Sequence, residues 1–197
     1  MTDECRRLFN FVETNAKRLS MKKIVLVCGL IAGFILTSVM VVSTVLCYIS
    51  NTYEGNMVVG YAAMILAFSL IFVAIKNYRD NYTNRIISFG KAFKIGLYIT
   101  LIASTMYVLS WLVEYYLFIP DFMEKYTAHV LTEAKTNGAS QLELNQKSAE
   151  MAGYSKLYGN PLGVIVLTYL EVFPVGLIIS LICALLLKRK KQPMQAA

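Results

Sequence analysis

From Pro161 to Leu187 the chain carries 27 residues with a single charge, Glu171, and then stops against Lys188-Arg189-Lys190-Lys191. A helix rises 1.5 Å per residue, so about 20 apolar residues already cross the hydrocarbon of a bilayer. An oversized soluble core has no use for so continuous an apolar run. The segment therefore reads as a transmembrane helix, and whatever the rest of the chain does must be compatible with a membrane as solvent.

Three further runs repeat the pattern, giving spans at about 24–49, 57–75, 95–119 and 161–187. The first follows a basic segment, as a signal peptide would. However, a cleavable apolar region is only about 7–15 residues long and ends in small residues. Here Val45-Leu46-Cys47 offers no such site, and Val25-Leu26-Val27-Cys28 puts a bulky Val before the cysteine, so the run is read as a retained helix. The hydrophobic fraction of 57% against 16% charged residues, with a mean hydropathy of +0.55, is what four such runs require.

The net charge of +7 does not form the basic stripe of a nucleic-acid surface. Fifteen of the 19 Lys and Arg lie in three places: before the first run, between the second and third, and after the last. Cytoplasmic flanks are enriched in positive charge, so this asymmetry predicts an all-α integral membrane protein of four transmembrane helices with both termini cytoplasmic. The segment between runs two and three supplies Lys76, Arg79, Lys91 and Lys94, read as a cytoplasmic loop whose cations anchor to lipid headgroups. Gly90-Lys91 lacks the spacing of a phosphate-binding loop.

The remaining four cations lie in 120–160, the one long polar segment, which predicts an extracytoplasmic helical hairpin between spans three and four. Pro120-Asp121 opens its first helix, Asn137-Gly138 closes it, and Ser140-x-x-Glu143 is a capping box that starts the second, ending near Leu157. Ahead of the spans, residues 1–21 form a basic N-terminal extension, either a short helix on the membrane surface or a frayed end. Met21-Lys22-Lys23 is a second place for the chain to start, which would make residues 1–20 dispensable. Residues 22–191 form one membrane domain, and 192–197 a short tail.

Chemistry has few places to reside. Cys5, Cys28, Cys47 and Cys183 have no metal-ligand spacing, His129 is the only histidine, and no catalytic triad or zinc-protease motif occurs. No cofactor, metal site or catalytic residue is expected, and the chain is read as not an enzyme. Two carboxylates stand out. At 1.5 Å per residue, Glu114 lies about 9 Å and Glu171 about 15 Å inside the outer boundary, close enough in depth to share a proton if helices three and four touch. Glu114 follows Gly96 by five helical turns, placing it on the face of Gly96, Thr100 and Ser104. The structural alternative is that Pro174 kinks the last helix and frees the Leu170 carbonyl, to which a protonated Glu171 donates.

Small residues recur at four-residue steps: Gly29 and Gly33 with Thr37, then Gly96, Thr100 and Ser104, then Gly176 and Ser180 with Ala184. Such faces let membrane helices approach closely. Several stretches together resemble a bacterial membrane family, domain of unknown function 4199. They are Lys22-Lys23 with Gly29-Leu-Ile-Ala-Gly33, Gly60-Tyr-Ala-Ala-Met64 with Ala67-Phe68-Ser69, and Tyr78-Arg79-Asp80. To these add Ile87-Ser-Phe-Gly-Lys91-Ala-Phe-Lys94, Pro120-Asp121-Phe122-Met123, and Glu171-Val-Phe-Pro174-Val-Gly176-Leu. The resemblance covers about residues 22–190 and implies a multi-pass protein of the inner membrane of gram-negative bacteria, with no established activity. Residues 1–20 lie outside its pattern.

Three functions fit these observations. The first is a non-enzymatic scaffold or accessory component that packs with partner helices, other membrane proteins or further copies of itself, in contact with membrane lipids. The second is a small proton-coupled transporter using Glu171 with Glu114. The third is an envelope docking module acting through the 120–160 hairpin.

Overall fold

The computed structural model describes residues 20–50 and 57–189, together with the backbone of the helix that begins at Asp3. Its elements are α1 (Asp3–Ser50), α2 (Met57–Phe68), α3 (Leu70–Tyr82), α4 (Phe89–Val113), α5 (Phe122–Thr136), α6 (Gln141–Tyr158) and α7 (Pro161–Leu187). Among the described residues all regular structure is helical, and four stretches are long and apolar enough to cross a membrane: Ser20–Ser50, Met57–Tyr82, Phe89–Phe118 and Pro161–Leu187. The backbone of α1 is helical without a break at Met21, so the extension and the first span are one helix. The side chains of residues 1–19, the turn at 51–56 with Glu54, and the tail from Lys190 lie outside the described residues.

The second span is α2 and α3 run together. At Ser69 the backbone tightens: its amide donates to both Ile65 (2.9 Å) and Leu66 (3.3 Å), and its hydroxyl donates to the Leu66 carbonyl at 2.6 Å. The expected loop at 76–94 is mostly helix. α3 continues through Lys76, Arg79 and Asp80, and α4 begins at Phe89, leaving only residues 83–88 as connection. Charge marks where a helix leaves the hydrocarbon, but Lys and Arg are good helix formers and do not end one. The turn itself is made by Asn84 and Arg85, both at positive φ. Ile87 is buried beneath it, and its carbonyl accepts from the Arg189 amide at 2.9 Å, fastening the end of α7 to this loop.

Neighbour pairs fix how the helices run. Along α1 and α4 the contacts advance together, Gly29 on Ile102 and Gly33 on Met106, so these two helices are parallel. Along α4 and α7 they run in opposite order, Gly96 on Ser180 and Thr100 on Gly176, so those are antiparallel. α2 and α3 return between them, with Phe68 against Gly176 and Ile71 against Gly96. One end of the bundle gathers the cations of α3 and α4; the other carries the α5–α6 hairpin.

The hairpin follows the sequence reading closely. Gly138 takes φ +80°, and Ser140 and Glu143 form the reciprocal capping box, with the Ser140 amide donating to Glu143 at 2.7 Å and the Glu143 amide to Ser140 at 3.3 Å. Its base is seated on a second apolar cluster of Tyr115, Met123 and Val164, walled by Trp111, Phe122 and Tyr158. Trp111 meets Phe122 edge-on, with ring centroids 5.4 Å apart, and Tyr115 meets Tyr158 at 5.3 Å. Aromatic pairs at these separations add to simple area burial.

Candidate functional site

The small-residue faces are used within the single chain. A Cβ on Gly176 would fall 2.5 Å from the Thr100 methyl and 2.8 Å from Phe68, and one on Gly96 would fall 2.7 Å from the Ser180 hydroxyl. Gly29 and Gly33 likewise bring α1 onto Ile102, Ala103 and Met106 of α4. At the crossing, Thr100 and Ser180 share a hydrogen bond of 3.2 Å, and Ser180 donates to the Gly176 carbonyl at 2.7 Å. Ser104 is fully buried beside them with no hydrogen-bond partner.

This crossing also decides where Glu114 points. Each step of four residues turns the contact face by about 40°, since a residue advances about 100°. The line Gly96, Thr100, Ser104 therefore winds around α4, and further up α7 is met at Thr105, whose hydroxyl lies 2.7 Å from that of Tyr169. Glu114, back at the angular position of Gly96, is left facing α1 instead, with Thr44 of α1 beside its carboxylate. Counting five turns placed Glu114 on a face that α7 has already left. Its neighbours are nonetheless helical, as expected.

Glu114 opens five residues of wider helical winding, Glu114–Phe118, closed by the Ile119 amide donating to the Glu114 carbonyl at 3.0 Å. Pro120 ends it, because the residue before a proline is driven out of helical geometry; Ile119 sits at φ −134°. Between this segment and α1 runs a groove of about 670 Å³. Val41, Val45, Ile49, Leu109, Val113 and Phe118 form its exposed apolar walls. The floor carries a line of polar side chains, with Ser110 donating to Thr37 at 3.5 Å and Thr44 beside Glu114 further out. At the rim Tyr48 donates to Asp121 at 2.6 Å. Lys125 closes that rim, 2.7 Å from Asp121 and 4.7 Å above the Tyr48 ring. The Lys125 and Tyr48 hydrogen bonds hold the Asp121 carboxyl below the usual carboxylate range. Glu114 Oε2 is buried beneath the groove lining and has no hydrogen-bond partner among the described residues.

The chain over residues 29–189 matches the family described as "Protein of unknown function (DUF4199)". The chain belongs to that family. No curated protein matches it, and no solved structure does.

In this DUF4199 protein Glu171 occupies a different place. It lies on the exposed side of α7 and has Tyr107 and Tyr158 within electrostatic reach. Burial, foremost, and the nearby Glu171 push the Tyr158 phenol up. The two carboxylates have separate surroundings, and what lies within reach of both is Tyr107 on α4. Pro174 sits inside an α7 whose helix continues to Leu187.

The proposed anchors cluster at the basic end: Lys76 and Lys94 are exposed, Lys91 lies 5.2 Å over the Tyr78 ring, and Arg79 is paired with Asp80 at 2.8 Å. Cys28, Cys47 and Cys183 are free thiols, and among the described residues no group of His, Cys, Asp and Glu is placed to hold a metal ion. The groove was missed in the sequence. Thr37, Thr44 and Tyr48 are separated by seven and four residues, one face of α1, but nothing marks that face as unfilled.

Proposed function

We propose that this protein is a non-enzymatic component of the bacterial inner membrane that receives another membrane molecule laterally, in the α1–α4 groove. Both termini lie in the cytoplasm and the α5–α6 hairpin outside it, because the Lys and Arg gather at the end opposite the hairpin. The observation that carries the reading is a wide apolar groove, open on the lateral surface of the bundle, with the Glu114 carboxylate on its lining and one oxygen of it buried without a partner among the described residues. An unpaired buried polar group costs free energy that a bound partner recovers. The occupant is a lipid-phase molecule, a further membrane protein or a second copy of the chain. The glycine faces are already filled from within, so they no longer argue for a partner.

Extraction into native-membrane nanodiscs tests this. A molecule held by the wild type should be lost from Val113→Trp, which fills the groove, and kept by Ile178→Trp, on the exposed side of α7. Identical contents for all three would remove the reading.

A second reading, proton-coupled transport, is favoured by Tyr107 lying within reach of both Glu171 and Glu114. Glu171→Gln keeps the shape and removes the titration. Full function in that variant, with a weakened fold in Glu171→Ala, would reduce the carboxylate to a structural role.

A further inference from the structure

Among the described residues Glu114 is the one charged side chain lining the groove. Thr44 of α1 lies beside its carboxylate, and Oε2 is buried with no hydrogen-bond partner among the described residues. The nearest cation described at the rim, Lys125, is held by Asp121 and by the Tyr48 ring. One turn deeper, the hydroxyls of Ser110 and Thr37 bond each other and keep lone pairs to spare. Among the described residues the groove therefore offers acceptors and no cation, enclosed by aliphatic walls.

We propose that the α1–α4 groove binds a lipophilic amine, an apolar body bearing a single ammonium group, with the ammonium seated on Glu114. This rests on the groove being a docking site, as argued above, and adds the chemistry of its occupant. An ammonium group donates three hydrogen bonds, for which the Glu114 carboxylate and the two hydroxyls are acceptors on the groove lining, and its charge compensates a carboxylate that the apolar walls cannot solvate. An anionic amphiphile would meet repulsion at Glu114. A neutral alcohol supplies a donor without the charge. A zwitterionic phospholipid would bring a phosphate alongside Glu114 and Asp121 with no free cation described there to meet it.

The test uses the full chain in lipid nanodiscs, with empty nanodiscs subtracted, and three probes of one chain length: dodecylammonium, dodecanol and dodecanoate. Dodecylammonium should bind saturably, and dodecanol about tenfold more weakly or worse, as expected when a charge-assisted hydrogen bond is lost. Glu114→Gln should bring the amine down to the level of the alcohol, and the wild-type comparison of probes decides the matter if that variant does not fold. Saturable binding of all three probes alike, abolished by Val113→Trp, would overturn the amine assignment and leave the docking site standing. No saturable binding of any probe, with no molecule lost from Val113→Trp in native membranes, would remove both.

Discussion

Replacing Gly176 with alanine puts one methyl group into the tightest crossing in the bundle. The added carbon would lie 2.5 Å from the Thr100 methyl, 2.8 Å from the Thr100 hydroxyl and 2.8 Å from the Phe68 ring. Carbon atoms rest at about 3.5–4.0 Å, so α7 must retreat or both partners must move. Thr100 and Phe68 are 0% exposed and have no free volume to enter. Overpacking of this kind costs about 1–3 kcal/mol, and displacing Thr100 from its 3.2 Å bond with Ser180 adds about 1 kcal/mol. Alanine recovers up to about 1 kcal/mol of helix propensity. The net is about 2 kcal/mol, roughly a thirtyfold loss in the folding equilibrium at 1.4 kcal/mol per tenfold. Reversible unfolding in mixed micelles of rising denaturing-detergent fraction measures it. Thr100→Ala removes two of the three clashing atoms, so the double variant should recover more than additivity allows, by at least about 0.5 kcal/mol. Gly176→Ala as stable as the wild type would refute the close approach of α4 and α7, and with it the argument that these glycines serve the fold.

Gly153, in the exposed middle of α6, has nothing within 4 Å of an added Cβ, so Gly153→Ala should stabilise the hairpin by about 0.5–1 kcal/mol, read as slower amide exchange across α6. Asp121 is held below the usual carboxylate range by Lys125 first and Tyr48 second; its contribution to the rim is complete above the unfolded carboxyl value and is lost as pH falls through the lowered one. Tyr48→Phe removes one of those bonds, so a carboxyl NMR titration should show the Asp121 midpoint moving up, and an unmoved midpoint would mean that the rim bond carries no weight.

The four spans were legible because uncharged runs of this length have one physical solution. So was the hairpin, since Gly138 and the Ser140–Glu143 box act locally and need no tertiary partner. What failed depended on how helices sit beside one another. The charges of 76–94 suggest a loop, while Tyr78 and Ile87 within it are buried and hold α3, α4 and α7 together. Glu114 was placed by counting turns along a straight axis, whereas α7 crosses α4 at an angle and parts from that face. The small residues were identified correctly, but sequence carries no mark of whether a close-packing face meets its own chain or another. The groove has no local signature at all, because it is the space left where α1 and the wide turn after Glu114 fail to meet.

The central claim is that this groove is occupied from the membrane. A photo-activated cross-linking residue at Val113, on the groove wall, compared in native membranes with the same residue at Ile178, tests it most directly. The account predicts a discrete, reproducible adduct from position 113 that is lost when Val45→Trp narrows the groove, and only scattered lipid labelling from position 178. Equal, featureless labelling from both positions would contradict it.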